Sequence, residues 1–161
     1  NHFRNNLDND KKLISLDTEL DHVKSYIEIE KARFEDKLSV INKIDEDIEC
    51  LVPPLTLQPI VENSIKHGIL NKENGGKVII KGKKESQNNI ISIFDNGVGI
   101  SEDVIDSIIN KDIKHKHYIR LYNVNKRLIG IYGEEYKLKI KSQIGEWTQV
   151  DVKIPIIENI N

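Results

Sequence analysis

An apolar run that ends in one acid and two glycines constrains this chain most: Ile90, Ile91, Ile93 and Phe94 lead into Asp95-Asn96-Gly97-Val98-Gly99-Ile100. The run reads as a buried strand, so Asp95 stands at its mouth, where its carboxylate can accept a hydrogen bond from an exocyclic amine. Gly97 and Gly99 let the backbone come close to a ligand. Together these features suit a nucleotide base. Asn-Gly between apolar runs is also the strongest short hairpin signal, and the segment taken alone favours a hairpin. The next residues argue against it. Ser101, Glu102 and Asp103 make a helix N-cap with acids in the first turn, not a return strand.

A chain of 161 residues fits one domain, and such a domain buries roughly 68–70% of the surface that its unfolded form exposes. The net charge of −2 and the pI of about 6.2 give no basic footprint, so nucleic acid is not expected among the partners. Cys50 is the single cysteine, which excludes an internal disulfide; without a metal-spaced Cys/His cluster, a reducing compartment is the simpler reading. The chain has no methionine and opens on Asn1, as a piece of a longer protein would.

Leu16, Leu20, Val23, Ile27 and Phe34 recur at near-helical spacing, with Ser15 or Asp17 placed to cap, so residues 16–35 are predicted to form an amphipathic helix. Leu38, Val40, Ile41 and Ile44 suggest a strand, which Pro53-Pro54 breaks. A second helix over 56–67 tolerates Pro59 because it lies near the first turn, and Gly68 is its expected stop. Residues 78–80 and 90–95 read as an antiparallel pair about a polar turn at Gln87-Asn88-Asn89. Helices near 102–110 and 121–132 follow, joined by the polar segment 110–117, and strands over 136–142 and 147–154 close the chain. The pattern predicts an α+β class: a mostly antiparallel mixed sheet covered by helices in a two-layer sandwich. There is no internal repeat or low-complexity tract.

The second helix carries the chemistry. Glu62, Asn63, Lys66 and His67 stand among Ile60, Val61 and Ile65, and the spacing of Asn63 to Lys66 is expected to put both on one face. An amide oxygen can ligate a hard cation such as Mg²⁺, and an ammonium one turn on can meet phosphates. His67 offers a ring for a purine, or is simply a helix-end residue favoured by the dipole.

In order, Pro53-Pro54, then Leu57-Gln58-Pro59-Ile60-Val61-Glu62-Asn63-Ser64-Ile65-Lys66-His67-Gly68, then Asp95-Asn96-Gly97-Val98-Gly99-Ile100, then Asn123-Val124 with Arg127-Leu128, resemble the ATP-binding domain of LytS-type sensor histidine kinases over nearly the whole chain. The resemblance implies the Bergerat sandwich shared with gyrase and the mismatch-repair ATPases. It implies Mg²⁺ on Asn63, a phosphate on Lys66, adenine stacked on His67 and its amine on Asp95. Gly97, Gly99 and Asn123 are expected to complete the ATP site, with Glu62 as the catalytic residue that positions a water or the incoming imidazole. Residues 16–161 would form the ATP-binding domain and 1–15 the linker and tail of a dimerisation hairpin, with Asn1 to Leu7 in that tail. The phosphoaccepting histidine would lie upstream of this chain, and His2 is not expected to replace it. By the same resemblance the domain is cytoplasmic, its parent is membrane-anchored and homodimeric, and a response regulator lies downstream.

The family's Gly-x-Gly-Leu segment reads Tyr118-Ile119-Arg120-Leu121 here, and its later Gly-x-Gly-Thr reads Gly145-Glu146-Trp147-Thr148. At the first of these, Arg120 is expected to substitute charge for amide donors to phosphate. Trp147 is expected to pack on its strand, and His22, His115 and His117 to be surface or loop residues. The lost glycines also leave open a degenerate nucleotide-sensing or scaffold module without phosphotransfer.

Overall fold

The computed structural model describes residues 13–45, 47–110 and 116–156. The expected hairpin tail at the N-terminus, His2 and His115 therefore lie outside the described residues. Helix α1 (Leu16–Phe34) begins where the Ser15 hydroxyl accepts the Thr18 N–H at 3.1 Å, which decides between the two candidate caps. Just before it, a two-residue strand β1 (Ile14–Ser15) pairs with β3 (Leu51–Val52) in a small ladder too short for period-two patterning to reveal.

The main sheet has five strands: β2 (Leu38–Ile44), β4 (Gly76–Glu85), β5 (Asn88–Asp95), β6 (Lys139–Gln143) and β7 (Trp147–Pro155). Their order is β2-β4-β5-β7-β6, with β2 parallel to β4 and every other pair antiparallel. Burial alternates strictly along the two central strands. Asn89, Ile91, Ile93 and Asp95 of β5 face inward, as do Thr148, Val150, Val152 and Ile154 of β7. Residues between them are half-buried, so helices cover one face only and the other stays partly open. On that open face Trp147 stacks on Phe94 at 6.3 Å between centroids, the packing role expected of it.

Helices α1, α2 (Leu57–Asn63), α3 (Glu102–Asn110) and α4 (Ile119–Tyr132) form the second layer. Ile60, Val61, Ile65, Leu121 and Leu128 meet Ile91, Ile93, Val150 and Val152 in the core. This is the predicted α+β sandwich. Ser101 caps α3 as expected, accepting the Val104 N–H at 3.3 Å.

Three local details differ from the sequence reading. The α-helical part of α2 ends at Asn63 and a π-helical turn follows over Ser64–Ile69, so Gly68 lies inside the turn and does not stop it. A Cβ at position 68 would lie 2.8 Å from the Asp95 carboxylate, so the glycine is needed for close approach. The β4–β5 turn is Ser86-Gln87, with Ser86 at φ 58°, and Asn88 and Asn89 are already paired in the ladder. The penultimate strand starts only at Lys139, because Glu134–Tyr136 makes a 3₁₀ turn.

Glu19 of α1 is wholly buried, and its side chain caps another helix. Oε1 accepts the Leu55 N–H at 3.1 Å, and Oε2 accepts those of Thr56, Leu57 and Gln58 at 2.9, 2.8 and 3.2 Å. The Leu57 and Gln58 amides are donors that the first turn of α2 would otherwise leave orphaned, and Leu55 and Thr56 stand just before it.

Candidate nucleotide site

Strand β5 delivers Asp95 to the end of the sheet with its side chain on the helix-covered face, 2% exposed. Its Oδ1 accepts the Gly97 N–H at 2.9 Å. Burial pushes the carboxyl up to about 6, against the opposing pull of the Gly97 amide, the Ser64 hydroxyl and the Lys72 ammonium. Thr148 stands directly across the ladder on β7 and is also buried.

The facing wall is α2 and its π turn. Ile60, Asn63, Ser64, His67 and Gly68 line a narrow cleft together with Asp95, Gly99, Ile100 and Thr148, and Tyr118 and Leu121 cover it from the start of α4. Asn63 is 9% exposed, and its Oδ1 has no hydrogen-bond partner among the described residues. Buried carbonyl oxygens are rarely left so. It is a hard, neutral oxygen on a residue that lines the cleft, the kind of donor that a small divalent cation accepts.

The His67 ring lies 4.8 Å from that of His117 and 6.1 Å from that of Tyr118. Burial, then the neighbouring His117 and Lys66, lower the His67 pKa, so the ring is neutral near pH 7 and suited to stacking. His117 was expected to be a plain loop residue, and the ring contact with His67 ties it to the cleft. Tyr118 is half-buried, and burial with the nearby Asp95 charge raises its phenol.

Asn63, His67, Asp95 and Gly99 thus share one cleft, and Gly97 lies in the loop that closes its end. Lys66 does not share it. A π turn advances fewer degrees per residue than an α-helix, so the three-residue spacing no longer keeps Lys66 on the Asn63 face, and Lys66 is exposed. Glu62 and Asn123 open on an adjoining groove lined also by Leu55, Pro59, Arg120 and Arg127. There Arg120 is ion-paired with Glu62, where the sequence suggested phosphate. Ser64 and Thr148 were not singled out from sequence, and Tyr118 was noted only as standing at a lost glycine. Thr148 had a signal, because its inward register on β7 matches that of Asp95 on β5.

The profile described as histidine kinase-, DNA gyrase B- and HSP90-like ATPase matches residues 54–158, the span that builds both walls of this cleft. The chain belongs to that ATPase family. A histidine kinase profile matches residues 1–38. Sensor protein LytS of Bacillus subtilis is 34% identical over 159 residues, covering 96% of this chain and 27% of LytS. Sensor histidine kinase BtsS of Escherichia coli K12 is 32% identical over 154 residues, covering 95% of this chain and 26% of BtsS. The chain therefore spans about a quarter of those two relatives. The fold of this ATPase domain is shared with the catalytic domain of histidine kinase ThkA at TM-score 0.66 and 15% identity, covering 90% of this chain and 97% of that one. Acinetobacter baumannii histidine kinase AdeS matches at TM-score 0.65 and 18% identity, covering 91% and 68%.

Proposed function

We propose that this chain is the ATP-binding catalytic domain of a sensor histidine kinase, which passes the γ-phosphoryl of Mg²⁺-ATP to a histidine elsewhere in its parent. The observation that carries the reading is the pairing, across one cleft, of the buried Asp95 carboxylate with the orphaned Asn63 Oδ1. The first suits the adenine amine and the second suits Mg²⁺. Once bound, Mg²⁺ would neutralise charge on the phosphates. Among the described residues no group of three His, Cys, Asp or Glu is placed to hold a metal ion.

In the transfer, a P–N bond forms to the acceptor imidazole as the bond from γ-phosphorus to the β–γ bridging oxygen breaks. ADP leaves with that oxygen, and the imidazole gives up its N–H proton. Glu62, one residue before Asn63, is the acceptor proposed for this proton once Arg120 releases it. Lys66, exposed and outside the cleft lining, would have to reach the phosphates from solvent. Reactions of this kind depend chiefly on positioning and charge neutralisation. We further propose residues 16–161 as the domain, with Gly97, Gly99 and Asn123 completing the ATP site. The parent would be a membrane-anchored homodimer that signals to a response regulator. Among the described residues no helix is long and apolar enough to cross a membrane.

One observation favours a second reading. Tyr118 covers the cleft beside His67, and Arg120 occupies Glu62, both at positions where the resemblance leads one to expect glycine. A module that senses nucleotide without transferring phosphate would keep Asp95 and dispense with a free Glu62.

Calorimetric titration with ADP, with and without Mg²⁺, tests the reading. Wild type should bind, Mg²⁺ should tighten binding, and Asn63→Asp should change that increment. An increment indifferent to the substitution removes Asn63 from the metal site.

A pH series tests the base end. The folded pKa of Asp95, about 6, lies above its ordinary 3.8. The folded chain therefore holds this proton more tightly than the unfolded chain does. The associated stability is fully present below the unfolded value and is lost as pH rises through 6, by about 3 kcal/mol. An amine donor favours the ionised carboxylate. Adenosine, which brings no titrating phosphate, should bind more tightly as pH rises from 5 to 7, by at most about tenfold per unit, and level off above. A flat profile by competition titration would exclude Asp95 as the amine acceptor.

A further inference from the structure

The turn that enters α2 is held from three sides. Glu19 of α1 takes the four consecutive N–H groups of Leu55, Thr56, Leu57 and Gln58. The Thr56 hydroxyl donates to the Pro53 carbonyl at 2.6 Å, and Arg127 of α4 donates to the Pro54 carbonyl. Leu55 has φ 60°, a conformation that a side-chain-bearing residue rarely adopts, yet its side chain is 54% exposed and gains little burial from it. What the conformation achieves is the aim of the Leu55 N–H at Oε1, while the next three amides converge on Oε2. Strain that a surrounding structure over-determines in this way marks a position that must be kept.

The two helices that Glu19 joins have different duties. Helix α1 lies within the segment matching the histidine kinase profile, and α2 lies within the ATPase segment, with Asn63 at its end and His67 on the π turn that continues it, both lining the cleft. Asp95 sits on β5, which takes none of these four bonds, and it meets the π turn through the Ser64 hydroxyl and the close approach of Gly68. We propose that Glu19 is a positioning residue of the nucleotide site: it locks α2 to α1, so that a displacement of α1 is delivered to Asn63 while Asp95 stays with the sheet. The effect on nucleotide rests on the function proposed above; the lock itself does not.

A buried cap could instead contribute global stability alone, and hydrogen exchange distinguishes the two roles. In Glu19→Gln, at a temperature where the chain stays folded, amides of 55–69 should exchange at least about tenfold faster, from the loss of hydrogen bonds to a charged acceptor, while those of 88–95 hold their wild-type rates. Val23→Ala, a core truncation on the same helix, should speed both segments in parallel or neither. The Mg²⁺ increment in ADP affinity should shrink several-fold in Glu19→Gln and not in Val23→Ala. If Glu19→Gln does not fold, Glu19→Asp keeps the charge one methylene short and should give the same selective pattern at smaller amplitude. Parallel acceleration of both segments overturns the proposal, and so does a selective pattern with an unchanged Mg²⁺ increment. A wild-type chain that binds no Mg²⁺-ADP overturns the functional reading instead, and the exchange pattern still decides whether Glu19 locks α2.

Discussion

Asp95→Ala is expected to lower ADP affinity by roughly 10- to 150-fold, the loss of a hydrogen bond to a charged group worth about 1.5–3 kcal/mol. The variant should nevertheless fold. At neutral pH the wild-type chain carries the penalty of an ionised carboxylate that is 2% exposed, and its pKa near 6 is the signature of that penalty. Alanine removes it, although the Gly97 N–H and the Ser64 hydroxyl lose their partner. Binding and stability therefore part company, and calorimetry with a melting curve on the same sample checks both. Asp95→Asn, which keeps the shape and one neutral acceptor, should fall between. Undiminished ADP affinity in Asp95→Ala would sink the base-pocket assignment.

Gly97→Ala is expected to act through the backbone. A Cβ there would lie 2.4 Å from the Gly68 carbonyl carbon and 2.5 Å from its Cα, and neither can move without dragging the π turn. Overpacking of this kind costs about 1–3 kcal/mol, which for a chain of this size is a fall of roughly 2–12 °C in the melting midpoint. Because the displaced turn carries His67 and Gly68, nucleotide affinity should fall as well. Gly130→Ala is the control. Its added methyl meets nothing within 4 Å on a helix, so it should leave binding alone and stabilise α4 by up to about 1 kcal/mol. Equal melting midpoints for Gly97→Ala and wild type would show that the loop can retreat from Gly68.

Local signals made the five strands of the main sheet, the four helices and the cleft position of Asp95 legible, because period-two and near-helical spacing are properties of neighbouring residues, whereas the two-residue strands β1 and β3 gave none. Ser15 and Ser101 marked helix starts for the same reason. The π turn was not legible. Ser64 to Ile69 carry the same apolar spacing as an α-helix would, and the wider turn follows from the approach of Gly68 to Asp95 and Gly97, contacts some 30 residues away. Glu19 was opaque for a related cause. A carboxylate on an amphipathic helix reads as solvent-facing, and only the placement of residues 55–58 over it supplies the four donors that make its burial tolerable. Arg120 was assigned to phosphate by position in a motif, but its partner, Glu62, lies 58 residues upstream.

Strand β2 is where the two matched segments are sewn together. It lies almost wholly between residues 38 and 54, yet it forms seven parallel register pairs with β4 and closes that side of the sheet. A fragment cut to begin at residue 54 would strip β4 of its neighbour and leave the backbone from Gly76 to Gly82 as an open template for strands of other molecules. It would also uncover Val78 and Ile80, which α1 and β2 help to bury. The gap between the two matched segments is therefore not a place where this domain can be divided. Shuffling of its N-terminal third between relatives must carry α1 and β2 together, as one piece with the sheet edge they complete.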